Sequence, residues 1–126
     1  MAERVESLLA CSGATPPKIE VLAKTLGMPA NRLERFLGEL ARAGNVVKIA
    51  SDVYLTRHDL ERFHALARRL LAERGQITLG EFRDAAGTGR GLALQLLETF
   101  DRLGLTRRQG DLRVPALPGA TLRKRA

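Results

Sequence analysis

The feature of this chain that most restricts its fold is an internal repeat. Gly27 and Gly44 each follow a stretch of helical hydrophobic periodicity, and both recur 60 residues later as Gly87 and Gly104. Apolar positions keep the same offset: Leu33 recurs as Ala93, Phe36 as Leu96, Leu37 as Leu97 and Leu40 as Phe100. A constant offset through helix ends and helix faces predicts two copies of one structural unit.

The hydrophobic period changes within each copy from helical to alternating. In the first copy, apolar residues at helical spacing predict short helices that end at Gly27 and Gly44. Residues 46–49 and 53–55 alternate around Ser51-Asp52 and predict a β-hairpin. Helices followed by a two-stranded wing give the order of a winged-helix domain. The predicted fold is therefore mainly α with small β-hairpin wings (α+β), arranged as tandem winged-helix domains.

The repeat also predicts the domain boundaries. The first winged-helix unit is assigned to residues 1–57, the second to residues 58–115, and a flexible basic tail to residues 116–126. Asp59 is the expected N-cap of a longer helix that begins the second unit and ends at Gly75.

The net charge of +7 is concentrated in the second half of the chain. Residues 1–63 carry 9 basic and 8 acidic side chains, whereas residues 64–126 carry 12 basic and 6 acidic ones. Of the 21 basic residues, 17 are arginine. An arginine-rich, basic surface favours a polyanionic partner, most simply a nucleic acid.

The two copies differ at the positions where helix-turn-helix proteins meet their ligands. In the second wing, Arg107, Arg108 and Arg113 replace Val47, Lys48 and Tyr54 of the first. Side chains alternate along a strand, so only one of the first two arginines is expected to share a face with Arg113. At the start of the third helix, Met28-Pro29-Ala30 becomes Thr88-Gly89-Arg90.

A helix start of this composition suits a phosphate group. The N-terminus offers free N–H groups and a positive dipole end, glycine admits a sugar-phosphate backbone, and a guanidinium can bridge two phosphate oxygens. Solvated surface charge is the alternative explanation for the arginines. The candidate nucleic-acid-binding residues are Thr88, Gly89, Arg90, Gly91, Arg107, Arg108 and Arg113, with Arg83 as a weaker candidate.

The sequence contains no recognisable catalytic or metal-binding pattern. One cysteine, Cys11, and two histidines that do not share a helical face, His58 and His64, do not predict a zinc site. The phosphate-loop motif of nucleotide hydrolases is absent. No apolar run reaches the roughly 20 residues of a membrane span, and a lone cysteine favours the reducing cytoplasm. We predict a cytoplasmic monomer that is not an enzyme, contacts no membrane, and needs no cofactor or metal.

The second copy resembles the last winged-helix domain of the bacterial selenocysteine-specific elongation factors. The matching residues are Ile77-Thr78-Leu79, Glu81-Phe82-Arg83-Asp84, Gly87-Thr88, Arg90, Ala93-Leu94, Leu96-Leu97-Glu98, Phe100-Asp101-Arg102, Gly104, Thr106-Arg107-Arg108, Gly110-Asp111 and Arg113-Val114. The resemblance is dense over residues 76–114 and thinner over residues 1–56, and it covers the third and fourth winged helices of that family.

The resemblance implies a function. Proteins of this family deliver selenocysteyl-tRNA to the ribosome at a UGA codon, and their C-terminal winged helices bind an mRNA hairpin, the selenocysteine insertion element. The GTPase portion precedes these helices in the family and is missing here, so the chain is expected to bind RNA without GTP turnover and to meet the ribosome only through the full-length factor. One departure is that Gly91 and Leu92 stand where the family has lysine and tyrosine.

Two other functions are compatible with a winged-helix chain. A DNA-binding transcriptional regulator would prefer duplex DNA and would normally read two half-sites as a dimer. A protein-interaction module would use the first unit, whose wing is largely apolar.

Overall fold

The computed structural model describes residues 2–10 and 16–116, which form two compact units divided between Leu60 and Glu61. The division lies slightly beyond the boundary expected after residue 57, inside a helix that begins directly at the end of the first wing. Cys11 and the basic segment 123–125 lie outside the described residues. None of the helices described is long and apolar enough to cross a membrane.

The described part of the first unit consists of helices and an antiparallel hairpin. Its elements are α1 (Ala2–Ala10), α2 (Ile19–Leu26), α3 (Ala30–Ala43), β1 (Val46–Ala50) and β2 (Val53–Thr56). Gly27 and Gly44 end α2 and α3 with φ of +68° and +88°, a left-handed conformation that favours glycine. Both predicted helix ends are therefore confirmed. Leu33 and Leu37 of α3 are fully buried in a core shared with Val5 of α1.

The second unit repeats this order with one additional strand. Its elements are α4 (Arg57–Arg74), β3 (Ile77–Thr78), α5 (Leu79–Ala86), α6 (Arg90–Arg102), β4 (Thr106–Gln109) and β5 (Leu112–Pro115). The three strands form an antiparallel sheet in the order β3-β5-β4. Phe82 of α5 and Phe100 of α6 are fully buried and meet edge to face, with ring centroids 6.1 Å apart. The predicted architecture, mainly helical with small β wings, is confirmed.

The internal repeat extends to the pairing register of the wings. Val47 lies opposite Leu55 in the first wing, and Arg107 lies opposite Val114 in the second. One residue further along, Lys48 is opposite Tyr54 in the first wing, whereas Arg108 is opposite Arg113 in the second. Differences between the copies can therefore be compared at matched places in the structure.

The additional strand of the second unit has a simple cause. β3 pairs with β5 through Ile77 and Thr78. At the same offset the first unit has Pro17, and proline has no backbone N–H to donate to a ladder. In the first unit the corresponding segment forms no strand, and a hydrogen bond of 3.2 Å from the Ile19 N–H to the Asp52 carbonyl connects it to the wing.

The start of α4 differs from the sequence prediction. The helix begins at Arg57, and the hydroxyl of Thr56 accepts a hydrogen bond from the N–H of Asp59, 3.1 Å away. The capping residue is therefore Thr56, the last residue of the first wing, and the expectation that Asp59 caps the helix is wrong. A strand residue that also caps a helix removes the need for a linker between the two elements.

Helix α5 begins with a complete capping box. The hydroxyl of Thr78 accepts from the N–H of Glu81 at 3.1 Å, and the carboxylate of Glu81 accepts from the N–H of Thr78 at 2.8 Å. Arg74, in the last turn of α4, forms an ion pair with the same carboxylate. The N–H of Thr78, then its hydroxyl and Arg74, lower the pKa of Glu81 because each favours the charged form.

Replacement of Thr78 by alanine should destabilise the second unit. The substitution removes the hydroxyl that satisfies the Glu81 N–H, and such changes cost about 1 kcal/mol in the free energy of unfolding. Urea denaturation followed by circular dichroism measures this loss. Thr25→Ala is the matched control, because Thr25 is exposed and its hydroxyl donates to the Val21 carbonyl within the same helix, α2. Equal losses for the two variants would contradict the capping role.

The contribution of Glu81 should depend on pH. Its pKa in the folded chain lies below the ordinary value of 4.5, so its stabilisation is complete above that value and disappears as the pH falls through the lowered pKa. The melting temperature of wild type should therefore exceed that of Glu81→Gln at pH 7, and the difference should shrink in acid. A difference that does not change with pH would contradict this expectation.

Candidate nucleic-acid interface

The N-terminus of α6 has no side-chain cap. Gly89 is the N-cap residue, in an extended conformation with φ −77° and ψ 167°, and α6 begins at Arg90. The Gly89 carbonyl accepts the first helical hydrogen bond from Ala93, but glycine has no side chain to accept from the N–H groups of the first turn. Gly89, Arg90 and Gly91 are all exposed. The structure thus presents free N–H donors beside an exposed guanidinium.

Neither glycine at this helix start is required by the fold. Gly89 and Gly91 do not have positive φ, and a Cβ added at either position would meet no heavy atom within 4 Å. The missing side chains leave the N–H groups on both sides of Arg90 unshielded from solvent. A phosphate oxygen could approach them to hydrogen-bonding distance.

Two of the other candidates are less available to a ligand. The Thr88 hydroxyl is buried and has no hydrogen-bond partner, while its N–H donates to the Arg83 carbonyl. Thr88 therefore contributes to the turn before α6 and not a side-chain donor at the surface. The guanidinium of Arg83 is engaged by Asp84, with Nε and Nη2 each 3.0 Å from Oδ1.

Arg107 and Arg108 extend from strand β4 and are both exposed. Their register partners on β5 are Val114 and Arg113 respectively, so they lie on opposite faces of the sheet, as the alternation of a strand requires. The Nε of Arg108 donates to the carbonyl of Gly110 in the wing turn at 2.9 Å. Both positive charges therefore belong to the surface of the wing.

Arg113 is buried, contrary to the sequence prediction. The expectation that it shares an exposed surface with the other wing arginines is wrong, because only 2% of its surface is exposed. Its Nε and Nη2 lie 3.2 and 3.1 Å from Oδ2 of Asp101. The other oxygen of Asp101 accepts from the hydroxyl of Thr106 at 2.5 Å. Arg113 is therefore an interior cation whose charge is compensated within the unit.

The signal for this pair becomes visible once the structure matches the positions of the two units. In the first unit, the matched positions of Asp101, Thr106 and Arg113 are occupied by Ala41, Val46 and Tyr54. Val46 and Tyr54 are buried in the core of that unit, and Ala41 packs against it. The three positions change together from apolar to polar, which is the pattern of an internal network and not of a ligand surface.

No metal-binding group is found among the described side chains. A group of three or more metal-ligating residues does not occur in the described part of the chain. His64 is buried against the ring of Phe100, with centroids 5.3 Å apart.

Loss of Arg113 alone should be costly. Arg113→Met leaves the partly buried carboxylate of Asp101 without its cation, and breaking such a pair costs about 3 kcal/mol of unfolding free energy. The variant with Asp101→Ala, Thr106→Val and Arg113→Tyr, here named the apolar-triad variant, recreates the first unit and should recover most of that loss. Arg107→Ala, on the exposed strand face, is the control. Urea denaturation that finds Arg113→Met as stable as Arg107→Ala would contradict the structural assignment.

Comparison with known proteins identifies relatives of both units. The family described as "Elongation factor SelB, winged helix" matches residues 69–114. The selenocysteine-specific elongation factor of Escherichia coli (strain K12) is 36% identical over 99 residues, which are 79% of this chain and 16% of the relative. The Haemophilus influenzae factor is 29% identical over 90 residues, covering 71% of this chain and 14% of the relative. The chain thus spans about a sixth of the length of the curated relatives that it matches.

A solved structure matches nearly the whole described architecture. It is the mRNA-binding domain of elongation factor SelB from E. coli in complex with SECIS RNA, with a TM-score of 0.78 and 31% sequence identity. The match covers 91% of this chain and 98% of that domain. At this identity and coverage the likeness extends beyond the fold, and the chain belongs to the SelB family of selenocysteine-specific elongation factors, in which it corresponds to the C-terminal winged-helix region.

Proposed function

We propose that this chain binds an mRNA hairpin of the SECIS type through its second unit. The observation that carries the proposal is the near-complete match to the E. coli mRNA-binding domain, whose structure contains SECIS RNA. The contact surface consists of the α6 start, Gly89-Arg90-Gly91, and the exposed wing arginines Arg107 and Arg108. We call it the α6–wing surface.

The charges on this surface are available to a ligand. Within residues 2–10 and 16–116, Arg90 and Arg107 form no ion pair, and Arg108 is bonded only to a carbonyl oxygen. By contrast, Arg74, Arg83 and Arg113 are each paired with a carboxylate. An arginine without a carboxylate partner retains its full charge for a phosphate.

Each part of the surface suits a different component of a hairpin. The free N–H groups of α6 and the fork of Arg90 can hold phosphate oxygens. Guanidinium planes on the wing can bind further phosphates or stack on unpaired bases, and splayed bases in loops and bulges are where proteins usually read RNA sequence. Binding therefore requires no covalent chemistry and no cofactor.

The proposed hairpin binding serves the full-length factor. The matched region is a small part of the curated relatives, which are selenocysteine-specific elongation factors. We infer that this region anchors the factor to the mRNA and meets the ribosome only indirectly, while the remainder of the protein delivers the selenocysteyl-tRNA. The region itself acts as a cytoplasmic monomer.

Replacement of Arg90 by alanine should weaken hairpin binding. The expected loss is about 1–3 kcal/mol, which raises Kd by roughly 5–150-fold. Fluorescence anisotropy with a labelled SECIS hairpin measures the change. Lys48→Ala is the control, because it removes an exposed cation from the wing of the first unit, outside the α6–wing surface. The control should bind like wild type.

The same titrations, repeated at several salt concentrations, test whether Arg107 contacts a phosphate. If Arg107 neutralises one phosphate, Arg107→Ala should reduce the slope of log K against log salt by about 0.7–0.9.

Competition with duplex DNA at fixed salt distinguishes the competing functions, and it should leave the hairpin bound. Displacement of the hairpin by duplex DNA would support a DNA-binding regulator. Absence of any nucleic-acid binding at physiological salt would support a protein-interaction module. Either result would contradict the proposal.

A further inference from the structure

We propose that Asp101 is a positioning residue for the RNA-contacting wing. Its carboxylate compensates the buried Arg113 directly across the strand from Arg108, and it ties the last part of α6 to both wing strands. The inference rests on the proposed function, because it concerns how Arg108 is presented to RNA.

The register creates an electrostatic conflict in the wing. Arg108 and Arg113 are directly opposite partners on neighbouring antiparallel strands, so their side chains leave the same face of the sheet. Like charges in this arrangement repel each other. Arg113 is buried and cannot turn into solvent, so the conflict must be resolved by a neighbouring anion or by displacement of Arg108.

Asp101 is that anion. Its Oδ2 accepts a hydrogen bond from Nε of Arg113 at 3.2 Å and lies 3.1 Å from Nη2, within ion-pair distance. With the positive charge of Arg113 compensated, Arg108 can stay over this face, and its Nε bonds to the Gly110 carbonyl in the wing turn. The head of Arg108 is therefore held at the tip of the wing.

The same carboxylate joins the two elements of the α6–wing surface. Asp101 lies in the last turn of α6, whose first residue is Arg90. It accepts from Thr106 on β4 through one oxygen and contacts Arg113 on β5 through the other. One side chain thus connects both wing strands to the helix that carries Arg90.

The first unit shows that the fold does not need this polar connection. The same hairpin register forms there around Ala41, Val46 and Tyr54. In that wing Lys48 lies opposite the neutral Tyr54, so no like-charge conflict exists. The polar set occurs in the unit that has arginine at both opposed positions, which is why we assign it to the presentation of Arg108 and not to stability alone.

A stability cycle tests the electrostatic part of the proposal. Asp101→Asn should lower the melting temperature by several degrees, because it leaves two arginines opposed without an anion. Arg108→Ala alone should change it little, and the double variant should regain part of the loss. The same cycle with Arg107→Ala, whose partner is Val114, should show simple additivity. Additive losses for Asp101→Asn and Arg108→Ala would overturn the proposal.

A binding cycle tests the positioning role in the full chain. Asp101→Asn, assayed at a temperature where circular dichroism shows it folded, should bind the SECIS hairpin about tenfold more weakly. The apolar-triad variant, which also removes the cation opposite Arg108, should bind like wild type. In the Arg108→Ala background Asp101→Asn should cause no further loss, because the residue that Asp101 positions is gone. Equal binding of Asp101→Asn and wild type, or losses that multiply in the double variant, would overturn the inference while leaving the proposed function intact. Failure of wild type to bind the hairpin would overturn both.

Discussion

The antiparallel register of the second wing determines which face of the sheet each of its arginines occupies. Side chains alternate between the faces of a strand, so the pairing of Arg108 with Arg113 places Arg107 on the other face. A shift of one residue would exchange the two faces and bring a different set of side chains to the interior. The positions of the exposed wing charges and of the buried Arg113 both depend on this register.

Burial of Arg113 imposes a requirement that Asp101 meets. A guanidinium removed from water is costly unless a carboxylate compensates it, and a buried pair is often no more stable than apolar residues of similar size. The two units show both solutions at matched positions, a polar one at Asp101 and Arg113 and an apolar one at Ala41 and Tyr54. The polar contacts also orient the wing relative to α6, because the hydrogen bonds of Asp101 to Thr106 and Arg113 have a defined geometry.

The charge available to the proposed RNA contact is smaller than the net charge indicates. Arg74, Arg83 and Arg113 are engaged with carboxylates inside the second unit, whereas Arg90, Arg107 and Arg108 are exposed and have no carboxylate partner among the described residues. Gly91 contributes no side chain at the helix start. Arg90 is therefore the cation at the start of α6, and the proposed affinity depends on it together with the wing.

Local signals in the sequence determined most of the architecture. Left-handed glycines such as Gly27 and Gly44, the change of hydrophobic period and the constant offset between copies act over a few residues, and they predicted both units, their wings and the start of α6 at Arg90. The tertiary structure alone decided that Arg113 is interior, that Thr56 and not Asp59 caps α4, and that β3 joins the second sheet. These features depend on partners that the chain brings together from a distance, such as Asp101 and Arg113, 12 residues apart. A charged side chain looks the same in sequence whether its partner is a ligand or a carboxylate, and only the packed structure distinguishes the two.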